Sequence, residues 1–268
     1  MQTFLGLLFF LFTICLVIFV HELGHLLTAK MFGVYCHEFS IGMGKKVKTL
    51  FVDKTGTEYN LRLIPMGGFV QIAGEDVDKE LDKDVPYDQK LDHKPAWQRI
   101  IILFAGTFNN MLLCFIIIMF MSVTNMFPEG GMFITDNQGV FEGIVAGFKN
   151  FGIMFNQMID AIASIFTQGL NNVSGLIGVA DVSVSVSQSG LASQLFFIAM
   201  ISINIGMANQ LPIPMLDGGR ILLVLYEVIF RKPISKKVEN ILMYGSLILL
   251  IYIFIHTGIV DLGRIFSR

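Results

Sequence analysis

Two imidazoles and a carboxylate crowd into five residues near the N-terminus, His21-Glu22-Leu23-Gly24-His25. On an α-helix, positions i and i+4 share a face, so His21 and His25 can ligate one metal ion. Glu22, next to the first of them, can hold an activated water as general base. The chain has five histidines, and composition alone would supply only about 0.003 copies of an H-E-x-x-H pattern. The bland alternative is a pair of satisfied polar residues near a helix end. The surrounding sequence is apolar, however, and ionisable groups at membrane depth are costly without a function.

Zinc needs a third protein ligand and an open position. The candidate is Asp217, in the run Asn209-Gln210-Leu211-Pro212-Ile213-Pro214-Met215-Leu216-Asp217-Gly218-Gly219. The two prolines interrupt a helix there, and unwound backbone at membrane depth is tolerated where it lines a protein cavity. A set of two histidines and one aspartate suits zinc. Spacing leaves a second reading open, in which Asp217 is an ordinary N-cap of the helix that follows.

The elements that must position these residues are membrane helices. Of 268 residues 54% are hydrophobic and only 15% charged, with a mean hydropathy of +0.67; a soluble domain carries about 25% charged residues. A disordered chain is excluded. The net charge of −2 offers no basic field for nucleic acid. Three cysteines (Cys15, Cys36, Cys114) without CxxC spacing favour neither a disulfide framework nor a thiolate metal site. Apolar runs of roughly the 20 residues that cross a bilayer predict spans at 4–29, 99–126, 191–209 and 240–257. The first lacks the basic start and cleavage site of a signal peptide.

Basic residues orient these spans. Eleven Lys/Arg lie from Lys30 to Arg99 and five from Asp217 to Val238, but only Lys149 between Ser122 and Gly190. The first and third loops are therefore expected in the cytosol and both termini outside. His21 lies about 14 Å before Lys30 along a helix, which puts the metal inside the bilayer toward the cytosolic face.

In the first loop (33–73), Val47–Val52 and Thr57–Ile64 are β-prone runs joined by Asp53-Lys54-Thr55-Gly56 and read as a membrane-associated hairpin. Pro65 ends the second run, and Gly67-Gly68 permits a sharp turn before Phe69–Ile72. These glycines also leave room for an extended substrate backbone. The charged stretch 74–97 reads as a solvated linker. In 141–168, Phe141, Ile144, Val145, Phe148, Phe155, Ile159, Ile162 and Phe166 recur near helical spacing, as in an amphipathic helix at the outer interface; a fifth span is the competitor. The expected fold is one domain over 1–268: an all-α polytopic membrane protein with about four transmembrane helices, a β-hairpin and an outer amphipathic helix. Cys36, His37 and His93 read as surface residues and His256 as an interfacial anchor.

Taken together, these motifs resemble the site-2 protease family, intramembrane zinc metalloproteases of the bacterial type that cleaves membrane-anchored regulators. The resemblance rests on Phe19–His25 and Asn209–Gly219, with further matches at Phe39–Gly44, Ile64–Val70 and Arg99 to Asn110. It implies that His21, His25 and Asp217 bind one Zn²⁺, that Glu22 is the catalytic base, and that Asn110 and Asn209 help position substrate or oxyanion. It also implies a bacterial cytoplasmic membrane location. The substrates implied are single-span membrane proteins, such as pre-cleaved anti-sigma factors or signal-peptide remnants. Two departures stand out. Gly106-Thr107 replaces the family's Gly-Pro pair, and the segment between Ser122 and Gly190 is too short for the PDZ domain that bacterial members usually carry there. A metal-ion transporter is the rival from another class, but it predicts inverted repeats that the sequence lacks. An inactive scaffold is the other, and the intact Glu22 argues against it.

Overall fold

The uncharged N-terminal run becomes one unbroken helix: in the computed structural model α1 spans Gln2–Met31. The structure describes residues 1–75, 81–128, 133–135, 137, 139–170 and 173–267. A long hairpin follows, β1 (Cys36–Val52) and β2 (Glu58–Ile72), then α2 (Ala96–Val123), α3 (Val140–Gln168), α4 (Leu176–Val186), α5 (Leu191–Asn209), α6 (Asp217–Phe230) and α7 (Lys236–Phe266). Among the described residues, α1, α2, α5 and α7 are long and apolar enough to cross a membrane. They are the four expected spans. α5 has the expected ends, whereas α7 extends beyond 240–257 at both ends, because charged residues such as Lys237, Glu239 and Arg264 continue a helix that hydropathy stops tracing. α2 starts at Ala96 because the Pro95 carbonyl accepts the first bonds of the helix, from Gln98 N–H at 2.9 Å and Arg99 N–H at 3.2 Å.

The chain packs as two units. One comprises Ile14–Asn110 and Ile205–Met243. Its core joins Leu26 and Ala29 of α1, Phe39 and Ile72 of the hairpin, Leu91, and Ile102 of α2. The hairpin is antiparallel, and its turn lies at the expected place: Asp53 accepts from the N–H groups of Thr55 (2.9 Å) and Thr57 (3.1 Å) and pairs with Lys30. Arg62 grips Glu38 on the facing strand through two nitrogens, at 2.9 and 2.8 Å. Burial alone would raise the Glu38 pKa, but hydrogen bonds from Ser40, Asn60 and Arg62 hold its carboxyl below the usual range.

Three expectations need correction here. Gly67-Gly68 is not a turn: β2 runs through it to Ile72, and Gly68 pairs with Ile41. Between the pairs Met43–Ile64 and Ile41–Gly68, β2 uses more residues than β1, so a bulge at Pro65–Gly67 absorbs the proline that cannot donate to a ladder. The stretch read as a solvated linker docks instead: Leu91 is buried, its N–H donates to the Ala73 carbonyl at 2.8 Å, and Asp82 accepts from Gly74 N–H at 2.8 Å. Residues 76–80 of that stretch lie outside the described residues. Cys36 is buried, and His37 is paired with Asp82 at 2.8 Å, so neither is a plain surface residue. Burial pushes the Cys36 thiol up to about 12, which makes it inert.

The other unit comprises Met1–Thr13, Met111–Asn204 and Tyr244–Arg268. α3 lies close against α2 because Gly143 and Gly147 leave no room for a side chain there, and buried Asn150 bonds Ser122 Oγ at 3.1 Å. The apolar residues Phe141, Ile144, Val145, Phe148 and Ile159 are exposed; the side chain of Phe166 lies outside the described set. α4 was not expected from the sequence. Its alternating Val and Ser residues resemble a strand, and tertiary bonds decide the matter: Gly178 N–H donates to Asp261 of α7 at 2.8 Å, and Ser183 Oγ to the Gly6 carbonyl at 3.2 Å.

Candidate metal and active site

Helical spacing on α1 turns His21 and His25 to one side, with their Nε2 atoms 3.2 Å apart. α1 and α2 touch at Gly24, where a Cβ would come within 2.3 Å of the Ala105 carbonyl oxygen. That close approach brings Gly106 directly over the imidazoles. A Cβ on Gly106 would lie 2.4 Å from His25 Nε2 and 2.6 Å from His21 Nε2. The bare glycine keeps open the space that these two nitrogens face. α2 also binds the far side of one ring: the Ile102 carbonyl accepts from His25 Nδ1 at 2.8 Å. A carbonyl only accepts, so Nδ1 carries a proton, and in the neutral ring the Nε2 lone pair faces inward.

Asp217 arrives from the other direction. After α5 ends at Asn209, Pro212 and Pro214 keep the chain unwound, and the loop folds back on the first turn of α6. A Cβ at Gly218 would meet the Gln210 carbonyl oxygen at 2.2 Å; only glycine fits. The loop is fastened to α2, with Gln210 Nε2 donating to Thr107 Oγ1 at 2.7 Å and Thr107 Oγ1 to the Gly206 carbonyl at 3.0 Å. Asp217 is the first residue of α6; the N-cap is Leu216, with no side-chain cap bond. The carboxylate is therefore not spent on capping. Its Oδ2 lies 3.0 Å from His21 Nε2 and 3.4 Å from His25 Nε2. Donor atoms of His21, His25 and Asp217 all fall within 4.8 Å of one another. Two imidazole nitrogens, one carboxylate oxygen and a glycine-roofed space between them fit a zinc ion that keeps one position for water or substrate.

A cavity of about 220 Å³ opens on this cluster, lined by His21, Glu22, His25, Asn209 and Asp217 together with Val70, Ile72, Glu75, Met215, Leu216 and Arg220. Glu22 is held by β2: its Oε2 accepts the Val70 N–H at 3.0 Å. Asn209 places its amide nitrogen 3.3 Å from His21 Nε2. Asn110 is fully buried, with its amide nitrogen 3.4 Å from His21 Nδ1. It sits behind the ring, away from the cavity lining. Gly67 and Gly68 are not among the cavity's lining residues either; from β2 those are Val70 and Ile72.

A family model described as peptidase family M50 matches residues 9–253. The chain belongs to peptidase family M50. This is the site-2 protease family that its motifs resemble, and the M50 chain is a membrane metalloprotease. It is similar to a Fusobacterium nucleatum protein described as a "Putative zinc metalloprotease", 31% identical over 94% of this chain and 97% of the relative. Proteins of the same description in Clostridium perfringens (27% identical, 91% of this chain, 95% of the relative) and Campylobacter jejuni (26%, 95% and 92%) are also similar. The Fusobacterium alignment runs over 337 positions, more than the 268 residues of this M50 chain, so that relative carries additional segments within the aligned span.

Several features of the site in the M50 chain were not legible in the sequence. Gly106 was noted as part of a motif on α2, but not its place over the imidazoles, because a small residue in an apolar helix marks close helix approach without saying what it approaches. Val70 acts through its backbone, so its residue type says nothing. Arg220 and Glu75 form an ion pair at the cavity, and no local pattern links residues so far apart in sequence.

Proposed function

We propose that this chain is an intramembrane zinc endopeptidase that cuts membrane-anchored proteins within or near their transmembrane segments. The observation that carries the reading is the convergence of His21, His25 and Asp217 beneath Gly106, with Glu22 beside them in the cavity. His21, His25 and Asp217 hold the metal. Bound there, zinc supplies Lewis acidity, polarising the scissile carbonyl and acidifying a water. Glu22 takes the proton from the attacking water and passes it to the leaving amine. Asn209 donates from its side-chain amide to the carbonyl oxygen as negative charge develops there. A helical substrate must unwind first, since its peptide groups are satisfied internally, and an edge of the hairpin accepts it as an added strand.

The depth of the site supports the substrate class: His21 lies about 14 Å before Lys30 along α1, at a level where a membrane segment presents its peptide bonds. Single-span proteins, including pre-cleaved anti-sigma factors and signal-peptide remnants, have that form. The membrane is the bacterial cytoplasmic membrane, with the site toward the cytosol.

Two experiments test this. The purified chain in proteoliposomes is expected to cleave a single-span substrate, to stop on addition of a zinc chelator and to recover when zinc is restored. Cleavage indifferent to chelation, or zinc flux without cleavage, overturns the proposal. For orientation, single cysteines placed at Lys83 and Lys149 in a chain cleared of its native cysteines are expected to label from opposite sides of the membrane, Lys83 from the cytosol. Labelling of both from one side overturns the topology.

A further inference from the structure

Along α2, Ile102, Gly106 and Asn110 recur every four residues and so form one ridge. This ridge lies on the imidazole pair: the Ile102 carbonyl bonds His25 Nδ1 at 2.8 Å, Gly106 leaves the space above both Nε2 atoms open, and the Asn110 amide faces His21 Nδ1 at 3.4 Å. Asn110 is fully buried, and α5 approaches it closely at Gly206, where a Cβ would stand 3.0 Å from the Asn110 Cβ.

The two rings must satisfy one chemical condition. To ligate a metal through Nε2, an imidazole needs its proton on Nδ1 and an acceptor for that proton. His25 has the Ile102 carbonyl. For His21 the group in place is the Asn110 side chain, whose amide offers a donor end and an acceptor end. With the nitrogen toward the ring, Nδ1 accepts, and Nε2 keeps the proton it can donate to Asp217 Oδ2 at 3.0 Å. A half-turn about χ2 exchanges the two ends with almost no change of shape. The carbonyl then accepts Nδ1–H, and the Nε2 lone pair is free to bind.

We propose that Asn110 is a positioning residue for the metal site, its side-chain carbonyl accepting the Nδ1–H of His21 as the Ile102 carbonyl accepts that of His25. The inference rests on the reading of His21 and His25 as zinc ligands. It assigns Asn110 a task different from substrate or oxyanion contact, and the residue's burial behind the ring suits that task.

The test is zinc affinity of the purified full chain, measured by competition with a chromogenic chelator, for the wild type, Asn110→Leu and Asn110→Asp. Leucine has similar bulk and no acceptor, and it is expected to weaken zinc binding about 10–100-fold. Aspartate can only accept from Nδ1–H, and it is expected to stay within about threefold of the wild type, a rescue that packing alone does not predict. Asn110→Ala serves in place of leucine if that variant does not accumulate, and thermal unfolding with excess chelator reports the fold separately from the metal. A leucine or alanine variant that binds zinc as tightly as the wild type overturns the inference. So does an aspartate variant as weak as leucine. A wild-type chain that binds no zinc removes the ligand reading itself, which distinguishes the two failures.

Discussion

Replacing Gly106 with alanine is expected to abolish zinc binding and proteolysis in a chain that still folds. The added methyl carbon would stand 2.4 and 2.6 Å from the two Nε2 atoms, well inside van der Waals contact. It would occupy the space where lone pairs must meet a metal, so the loss should exceed the roughly 10–100-fold seen when only an outer hydrogen-bond partner of a ligand is removed. Helix stability does not suffer, since alanine is favoured over glycine in a helix by about 1 kcal/mol. The distinguishing measurement pairs zinc content with thermal unfolding in chelator: the first is expected to fall to the level of Asp217→Ala, and the second to remain at the wild-type value. Full zinc occupancy in Gly106→Ala would show that the imidazoles face the metal from elsewhere.

Glu22→Gln is expected to separate the two losses, keeping zinc while losing catalysis. Glu22 stands outside the cluster of His21, His25 and Asp217, so no ligand is lost. The glutamine oxygen can still accept the Val70 N–H that positions Glu22 at 3.0 Å, so the side chain stays in place. What disappears is a carboxylate able to take a proton, and general base catalysis contributes about 10²–10⁴-fold. Turnover of a single-span substrate should fall by that factor with one zinc still bound per chain. Loss of zinc as complete as in His21→Ala would make Glu22 a ligand and not the base, and unchanged turnover would remove it from the mechanism.

The structure also redirects an experiment that the sequence invites. Gly68→Val looks like a test of substrate strand addition, because glycine lets another backbone come close. In the hairpin, a Cβ at Gly68 would meet the Ser40 carbonyl oxygen of the facing strand at 2.6 Å. The substitution would therefore disturb the pairing of β1 with β2 before any substrate arrives.

The amino-acid sequence by itself determined whatever depends on contiguous residues. Apolar runs long enough for hydrocarbon became α1, α2, α5 and α7, the four-residue spacing turned His21 and His25 to one face, and Asp53 to Gly56 formed the hairpin turn. Only the tertiary structure decided what each of these elements meets. Asp217 was legible as either a helix cap or a third donor, and it is the packing of the proline loop on α2 that points its carboxylate at the imidazoles. Gly106 and Asn110 were legible as parts of a motif on α2, but what each faces was decided only where α2 crosses α1 at Gly24. The short helix α4 exists where an apolar count found nothing, because its first turn meets the buried carboxylate of Asp261. The physical reason is common to all of them. A local pattern reports which face of an element is apolar or polar, but the chemistry of this site depends on distances of 2–4 Å between atoms of separate elements, and those are set by how closely bare glycines let the helices and the loop approach.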